Sequence, residues 1–173
     1  LDRSSAASDV YKRQCHTYGN IPAVGAVAPG FNLAGKDLGE VRLSDYDGKR
    51  VVLNLFPSLD TAVCAASVRR FNQEAAGIDN TAVICVSMDL PFAMGRFCTA
   101  EGIENVVVAS AFRSPMFVQE YGLQIVDGPL ARLLARAVIV LDENHRVIFS
   151  DLVEEITHEP DYEGAVSVLK SEK

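Results

Sequence analysis

Residues 51–56, VVLNLF, are apolar at every position but Asn54, and the turn PSLDT carries them straight into a helical pattern. A strand this uniformly apolar has no solvent face, so it belongs in the middle of a sheet covered on both sides. The rest of the chain must therefore supply helices to two faces. The helix after the turn covers roughly residues 62–76 and stops before Gly77, a suitable C′ residue. Thr61 is placed as its N-cap, with the hydroxyl expected to accept from the amide of Val63 or Cys64. Cys64 then falls in the first turn, at the positive end of the helix dipole, where the nucleophilic thiolate is favoured. The same cysteine opens the one-face stripe Cys64, Val68, Phe71 and Ala75. A cysteine packed as a small hydrophobe fits that stripe equally well. Spacing alone leaves both readings open.

The other elements follow from punctuation and periodicity. A short strand at 31–33 has a hairpin partner at 40–43. Residues 82–87, AVICVS, form a second buried strand with Cys85 at its centre, read as a core thiol. Asp89, Leu90 and Pro91 start a helix that Gly102 ends, with Cys98 late in it. Residues 106–109 read as a third parallel strand, and a short helix lies around Pro115. Asp127, Gly128 and Pro129 break the chain, and another short helix is expected at 130–135. Residues 137–141 and 146–150 make an antiparallel hairpin. Pro160 opens a final helix with an apolar stripe of Tyr162, Ala165, Val166 and Leu169. The order β-α-β-α-β, hairpin, α gives an α/β chain with a mixed central sheet and helices on both faces. That is the order of a thioredoxin-like fold with an inserted strand and helix.

The opening LDRSSAASDVYKRQ has no Met, apolar h-region or cleavage site, so it does not read as a signal peptide. Its string SSAASDVYKRQ looks like translated sequencing-adapter read-through. Residues 1–14 are expected to be a non-native, disordered tail, and residues 15–173 a single domain. Cys15 stands at the junction and is assigned no role. No apolar run approaches the ~18 residues of a spanning helix, so a cytoplasmic protein is expected. The net charge of −7 lacks the basic face that nucleic acid or anionic membrane requires. The 4 cysteines form neither a disulfide scaffold nor a zinc pattern, so no metal and no cofactor is expected. His145 and His158 lie in polar turns and are read as surface residues.

The pattern Pro57-x-x-x-Thr61-x-x-Cys64 resembles the signature of peroxiredoxins, the thiol peroxidases of the thioredoxin superfamily. The segments FPSLDTAVCAASVRRFN, DLPFAMGRFCTAEG, GPLARLLARAVIVLDEN and EITHEPDYEGAV are similar to the bacterial, atypical two-cysteine thiol peroxidase subfamily. The likeness runs from about Thr17 to the C-terminus. It implies that Cys64 is the peroxidatic cysteine, which attacks a peroxide and becomes a sulfenic acid. It implies that Thr61 holds the thiolate and a peroxide oxygen, that Pro57 shields the pocket, and that Arg136 stabilises negative charge. Arg132 lies on the same approach, and the choice of Arg136 rests on the family's R-A-V pattern. Cys98 matches the resolving cysteine, which would form a disulfide with Cys64 that a thioredoxin-type reductant reopens. Hydrogen peroxide and alkyl hydroperoxides are the implied substrates, and a homodimer the implied assembly. The family's N-terminal hairpin is expected to be largely missing, because adapter-like sequence stands in its place.

Two other functions compete. Cys64-Ala-Ala-Ser67 has the form C-x-x-S of a thioredoxin-like disulfide oxidoreductase, although its second sulfur is absent. A non-catalytic redox sensor or holdase would use a Cys64–Cys98 bond to switch a binding surface.

Overall fold

The computed structural model describes residues 8–10 and 13–171, with the side chains of Ala75 and of residues 8–14 outside the description. Strands β1 (Ser8–Val10) and β2 (Arg13–Cys15) pair antiparallel, Ser8 opposite Cys15. Part of the segment expected to be disordered is thus paired as a hairpin. The anchor is Cys15, buried against Ile125, Ala135 and Ile156. His16 adds to it, with its amide and ring Nδ1 both on the Asp127 carboxylate at 2.7 and 2.6 Å. Residues 1–7, 11 and 12 of the expected tail lie outside the described residues.

The main sheet is built from β3 (Asn32–Gly35), β4 (Glu40–Arg42), β5 (Arg50–Leu55), β6 (Thr81–Ser87), β7 (Val107–Ser110), β8 (Ala137–Leu141) and β9 (Val147–Leu152). A 3-10 turn at Leu43–Tyr46 links β4 to β5. The helices are α1 (Ala62–Ala75), α2 (Pro91–Glu101), α3 (Pro115–Tyr121) and α4 (Tyr162–Ser171). The seven strands lie in the order β4-β3-β7-β6-β5-β8-β9, with β5, β6 and β7 parallel and β8 antiparallel to β5. Every residue of β5 is buried, as its composition requires. The fold is thioredoxin-like.

Alternation along the strands divides the interior in two. Val51, Leu53, Leu55, Ala137 and Ile139 face a cluster completed by Phe31, Phe117 and Tyr121. Val52, Phe56, Val83, Cys85, Val138 and Val140 face the other cluster, with Cys64, Val68 and Phe71 of α1, Met94 and Cys98 of α2, and Tyr162 of α4. Three helices therefore cover one face of the sheet and α3 covers the other. Parallel β-α-β units with a constant crossover hand and strands added in one direction put α1 and α2 on the same side.

The helix expected at 130–135 is absent. Its backbone groups pair with 123–125 instead: Arg132 N donates to Ile125 O at 2.8 Å and Ala135 N to Leu123 O at 2.8 Å. Arg132 also takes a φ of 81°, which no helix interior accepts. Gly122 is required where it stands, with φ 68° and the carbonyl of Asn20 only 2.6 Å from any added Cβ. Among the described residues no helix is long and apolar enough to cross a membrane, and no cluster of three His, Cys, Asp or Glu could hold a metal ion.

Candidate active site

Strand β5 ends at Leu55, opposite Val86 of β6 on one side and Ala137 of β8 on the other. The next residues on the three strands are therefore neighbours: Phe56 and Pro57, Ser87, and Arg136. Alternation turns Arg136 to the same face as Val138 and Val140, the face that carries Cys64. Register alone thus carries a residue 72 positions further along the chain (136 − 64) to the mouth of the turn.

The turn is braced by Asp89, which the sequence reading took only as a helix start. Its Oδ1 accepts the Ser58 hydroxyl at 2.7 Å, and its Oδ2 accepts the Leu59 amide at 2.8 Å and the Ser87 hydroxyl at 2.7 Å. Leu90 takes the N-cap position of α2, so the Asp89 carboxylate is committed to the neighbouring turn. The available signal was positional: in a parallel pair, the residues just past both strand ends meet.

Thr61 is the N-cap of α1 in extended conformation, but its hydroxyl makes no capping bond. It donates instead to the Ser58 carbonyl at 3.1 Å, which also accepts the Thr61 amide at 3.1 Å. The expected cap is corrected, because the tight turn presents a closer carbonyl. The Thr61 side chain remains exposed, and its oxygen keeps lone pairs available to a donor.

Cys64 sits in the first turn of α1, fully buried, against the apolar cluster that also holds Phe56, Leu59, Cys85 and Cys98. Both readings of its stripe therefore hold at once: it packs, and it stands at a helix N-terminus. Ser67 is buried and donates to the Cys64 carbonyl at 2.8 Å, while receiving Asn54 Nδ2 at 3.2 Å. A hydroxyl so engaged beneath the helix does not occupy the exposed second position of a dithiol motif.

Arg136 is 2% exposed. Its Nε and Nη2 donate to the Ile156 carbonyl at 3.2 and 2.8 Å, while Nη1 is buried with no hydrogen-bond partner among the described residues. Arg132 is exposed and lines a separate cavity of about 620 Å³ with Tyr18, Phe112 and Val126. Cys98 is 5% exposed, and burial pushes its thiol up, an effect that Lys36 partly offsets. Cys64, Cys85 and Cys98 are thiols, not disulfides. Cys85 lies against the floor of the cluster, where burial pushes its thiol up to about 12. The structure thus brings Pro57, Thr61 and Arg136 to one end of β5, with Cys64 and Cys98 on adjoining helices that share a core.

The chain is similar to known proteins in sequence and in fold. The Redoxin family model matches residues 23–166. The chain is 54% identical over 153 residues to the thiol peroxidase of Corynebacterium glutamicum, covering 88% of this chain and 92% of that one. Among solved structures, a peroxiredoxin-like protein from Aquifex aeolicus superposes with a TM-score of 0.90 at 38% identity, over 96% of this chain and 97% of that one. A thiol peroxidase from Chromobacterium violaceum, at 19% identity, shares the fold with a TM-score of 0.85 over 95% of this chain and 96% of that one.

Proposed function

Because this chain belongs to the Redoxin family, among the bacterial thiol peroxidases, we propose that its catalytic cycle runs through Cys64 and Cys98. The activity itself is that of a thiol-dependent peroxidase. In the proposed cycle the Cys64 thiolate attacks one oxygen of a hydroperoxide; the O–O bond breaks, and an alcohol or water leaves. The Cys64 sulfenic acid then condenses with the Cys98 thiol to a disulfide and water. A thioredoxin-type dithiol takes up that disulfide and restores both thiols.

The observation that carries this reading is the placement of Cys64 at the N-terminus of α1, sharing one apolar cluster with Cys98. Thr61 offers a hydroxyl oxygen at the helix mouth, and the unpartnered Nη1 of Arg136 supplies a fixed donor on the same face. Donors already in place cost no reorganisation as negative charge develops on oxygen. Pro57 closes the turn without a backbone N–H to satisfy. Hydrogen peroxide and alkyl hydroperoxides are the substrates of this reading, a cytoplasmic homodimer its assembly. Exposed Tyr18, Phe112 and Val126 around the 620 Å³ cavity support a second copy as a neighbour.

The test is peroxide consumption coupled to thioredoxin and its reductase. Cys64→Ser is expected to abolish turnover with the fold retained. Wild-type protein given one equivalent of peroxide is expected to show a Cys64–Cys98 crosslink by mass spectrometry. A crosslink to Cys85, or none, would sink the two-cysteine cycle.

A further inference from the structure

We propose that Asn54 is a positioning residue for the attack of Cys64 on peroxide, acting through the Ser67 hydroxyl on the backbone carbonyl of Cys64. This rests on the reading of Cys64 as the attacking thiol.

The need arises from how α1 begins. Ala65 donates to the Thr61 carbonyl at 3.0 Å, so the amides of Ala62, Val63 and Cys64 precede the helical ladder. A side-chain cap ordinarily fastens such a turn. Here the Thr61 hydroxyl goes to the Ser58 carbonyl instead, and the first turn carries no acidic residue. Cys64 therefore stands where a helix frays first, while its reaction needs the sulfur held in one place.

A buried chain of hydrogen bonds holds that turn from below. Asn54 lies fully buried in the middle of the sheet, paired with Cys85 of β6 and Val138 of β8. Val52 and Phe56 face the cluster that holds Cys64, so alternation sends Asn54 the same way. There its Nδ2 donates to Ser67 Oγ at 3.2 Å and lies 3.6 Å from Cys85 Sγ. Ser67, also buried, donates in turn to the Cys64 carbonyl at 2.8 Å. A hydroxyl has one proton to give, so with that proton on Cys64 only its lone pairs remain for Asn54. Each bond polarises the next. The chain runs from the central strand to the peptide unit of the reactive cysteine. Packing gives no reason for an amide at this place. The surrounding cluster is apolar, and Asn54 Oδ1 is buried with no hydrogen-bond partner among the described residues. A leucine of similar size would bury without that cost. What the amide supplies and a leucine does not is the bond to Ser67.

Ser67→Ala removes the middle of the chain, and Asn54→Leu removes its root. Full-length protein would be mixed with one equivalent of hydrogen peroxide in a stopped-flow instrument. The first phase, oxidation of Cys64, is expected to slow roughly three- to ten-fold in either variant, the range that one hydrogen bond spans. The double variant is expected to be no slower than the slower single one, because both changes break the same chain. The second phase, in which Cys64 leaves its place for Cys98, is expected not to slow. Cysteine labelled at its carbonyl carbon, with alanine labelled at nitrogen, isolates one peptide by NMR, since Cys64-Ala65 is the only Cys-Ala pair in the chain. The Cys64 carbonyl resonance is expected to move in Asn54→Leu, which acts on it only through Ser67; an asparagine that merely fills space would leave it in place. A first phase within about two-fold of wild type in Ser67→Ala would overturn the assignment. So would losses that add in the double variant, an unmoved carbonyl resonance, or both phases slowed alike with a lower melting temperature. If Asn54→Leu does not fold, the split between the two phases in Ser67→Ala decides. A first phase that persists in Cys64→Ser would overturn the underlying reading of Cys64 instead.

Discussion

Thr61, Asp89 and Cys85 do three different things within one short stretch of the sheet end. The Thr61 hydroxyl hydrogen is occupied by the Ser58 carbonyl, so toward a ligand the oxygen acts as acceptor. Thr61→Val keeps the volume and is expected to slow second-order oxidation of Cys64 at least about ten-fold, or ~1.4 kcal/mol. An unchanged rate in stopped-flow would remove Thr61 from the site. Asp89→Ala leaves two hydroxyls and the Leu59 amide without their acceptor. It is expected to cost about 2–3 kcal/mol in chemical denaturation and to slow Cys64 oxidation by loosening the turn. Asp89→Asn, which retains an acceptor, is expected to fall between. Cys85 is raised from an ordinary 9.0 to about 12 by burial. Its contribution to stability is therefore fully present below pH 9 and lost as pH rises toward 12. Maleimide labelling of the native protein at pH 8 is expected to spare Cys85, and rapid labelling there would contradict its burial.

At the scale of elements, α1 is tied both to α2 and to the loop that follows α2, beyond the shared core. Asn72 Oδ1 accepts the amides of Glu104 and Asn105 at 3.0 and 2.7 Å, and Asn105 Nδ2 donates to the Asn72 carbonyl at 3.0 Å. The Arg69–Glu101 pair bridges the same helices in solvent, where salt screens it and it contributes little. Cys64 lies in α1 and Cys98 in α2 in the reduced protein, and we propose that the disulfide forms after one of these helices opens locally. α2 carries Gly95 in its interior, a residue that costs a helix about 0.5–1 kcal/mol relative to Ala. A Cβ there makes only ordinary contact with Lys36. Gly95→Ala is expected to protect the α2 amides from hydrogen exchange and to slow disulfide formation about two- to five-fold. Slower exchange with an unchanged disulfide rate would identify α1 as the helix that opens.

Across the whole molecule, one sheet is buried on both faces, and its alternating side chains tie the two clusters together. Leu53 faces one and Val138 the other, from paired strands. Leu53→Ala and Val138→Ala are each expected to lower a single denaturation transition by about 2–4 kcal/mol. Separate midpoints by circular dichroism and tyrosine fluorescence would show two independent cores. Much of this architecture was legible because it is local: the apolar run at 51–56, the strand–turn–helix punctuation and the Pro57, Thr61, Cys64 spacing each depend on near neighbours. The short helix expected at 130–135 failed because its competitor was distant in sequence: pairing with 123–125 satisfied the same backbone groups. The hairpin within residues 8–15 was missed for a similar reason, since the contacts of Cys15 lie more than a hundred positions away. The sequence determined which residues are chemically able to act. Tertiary structure alone decided that Asp89 braces the turn and that the Thr61 hydroxyl donates to Ser58 rather than capping. Those choices follow from strand register and from competition between nearby polar groups, and no linear pattern records either.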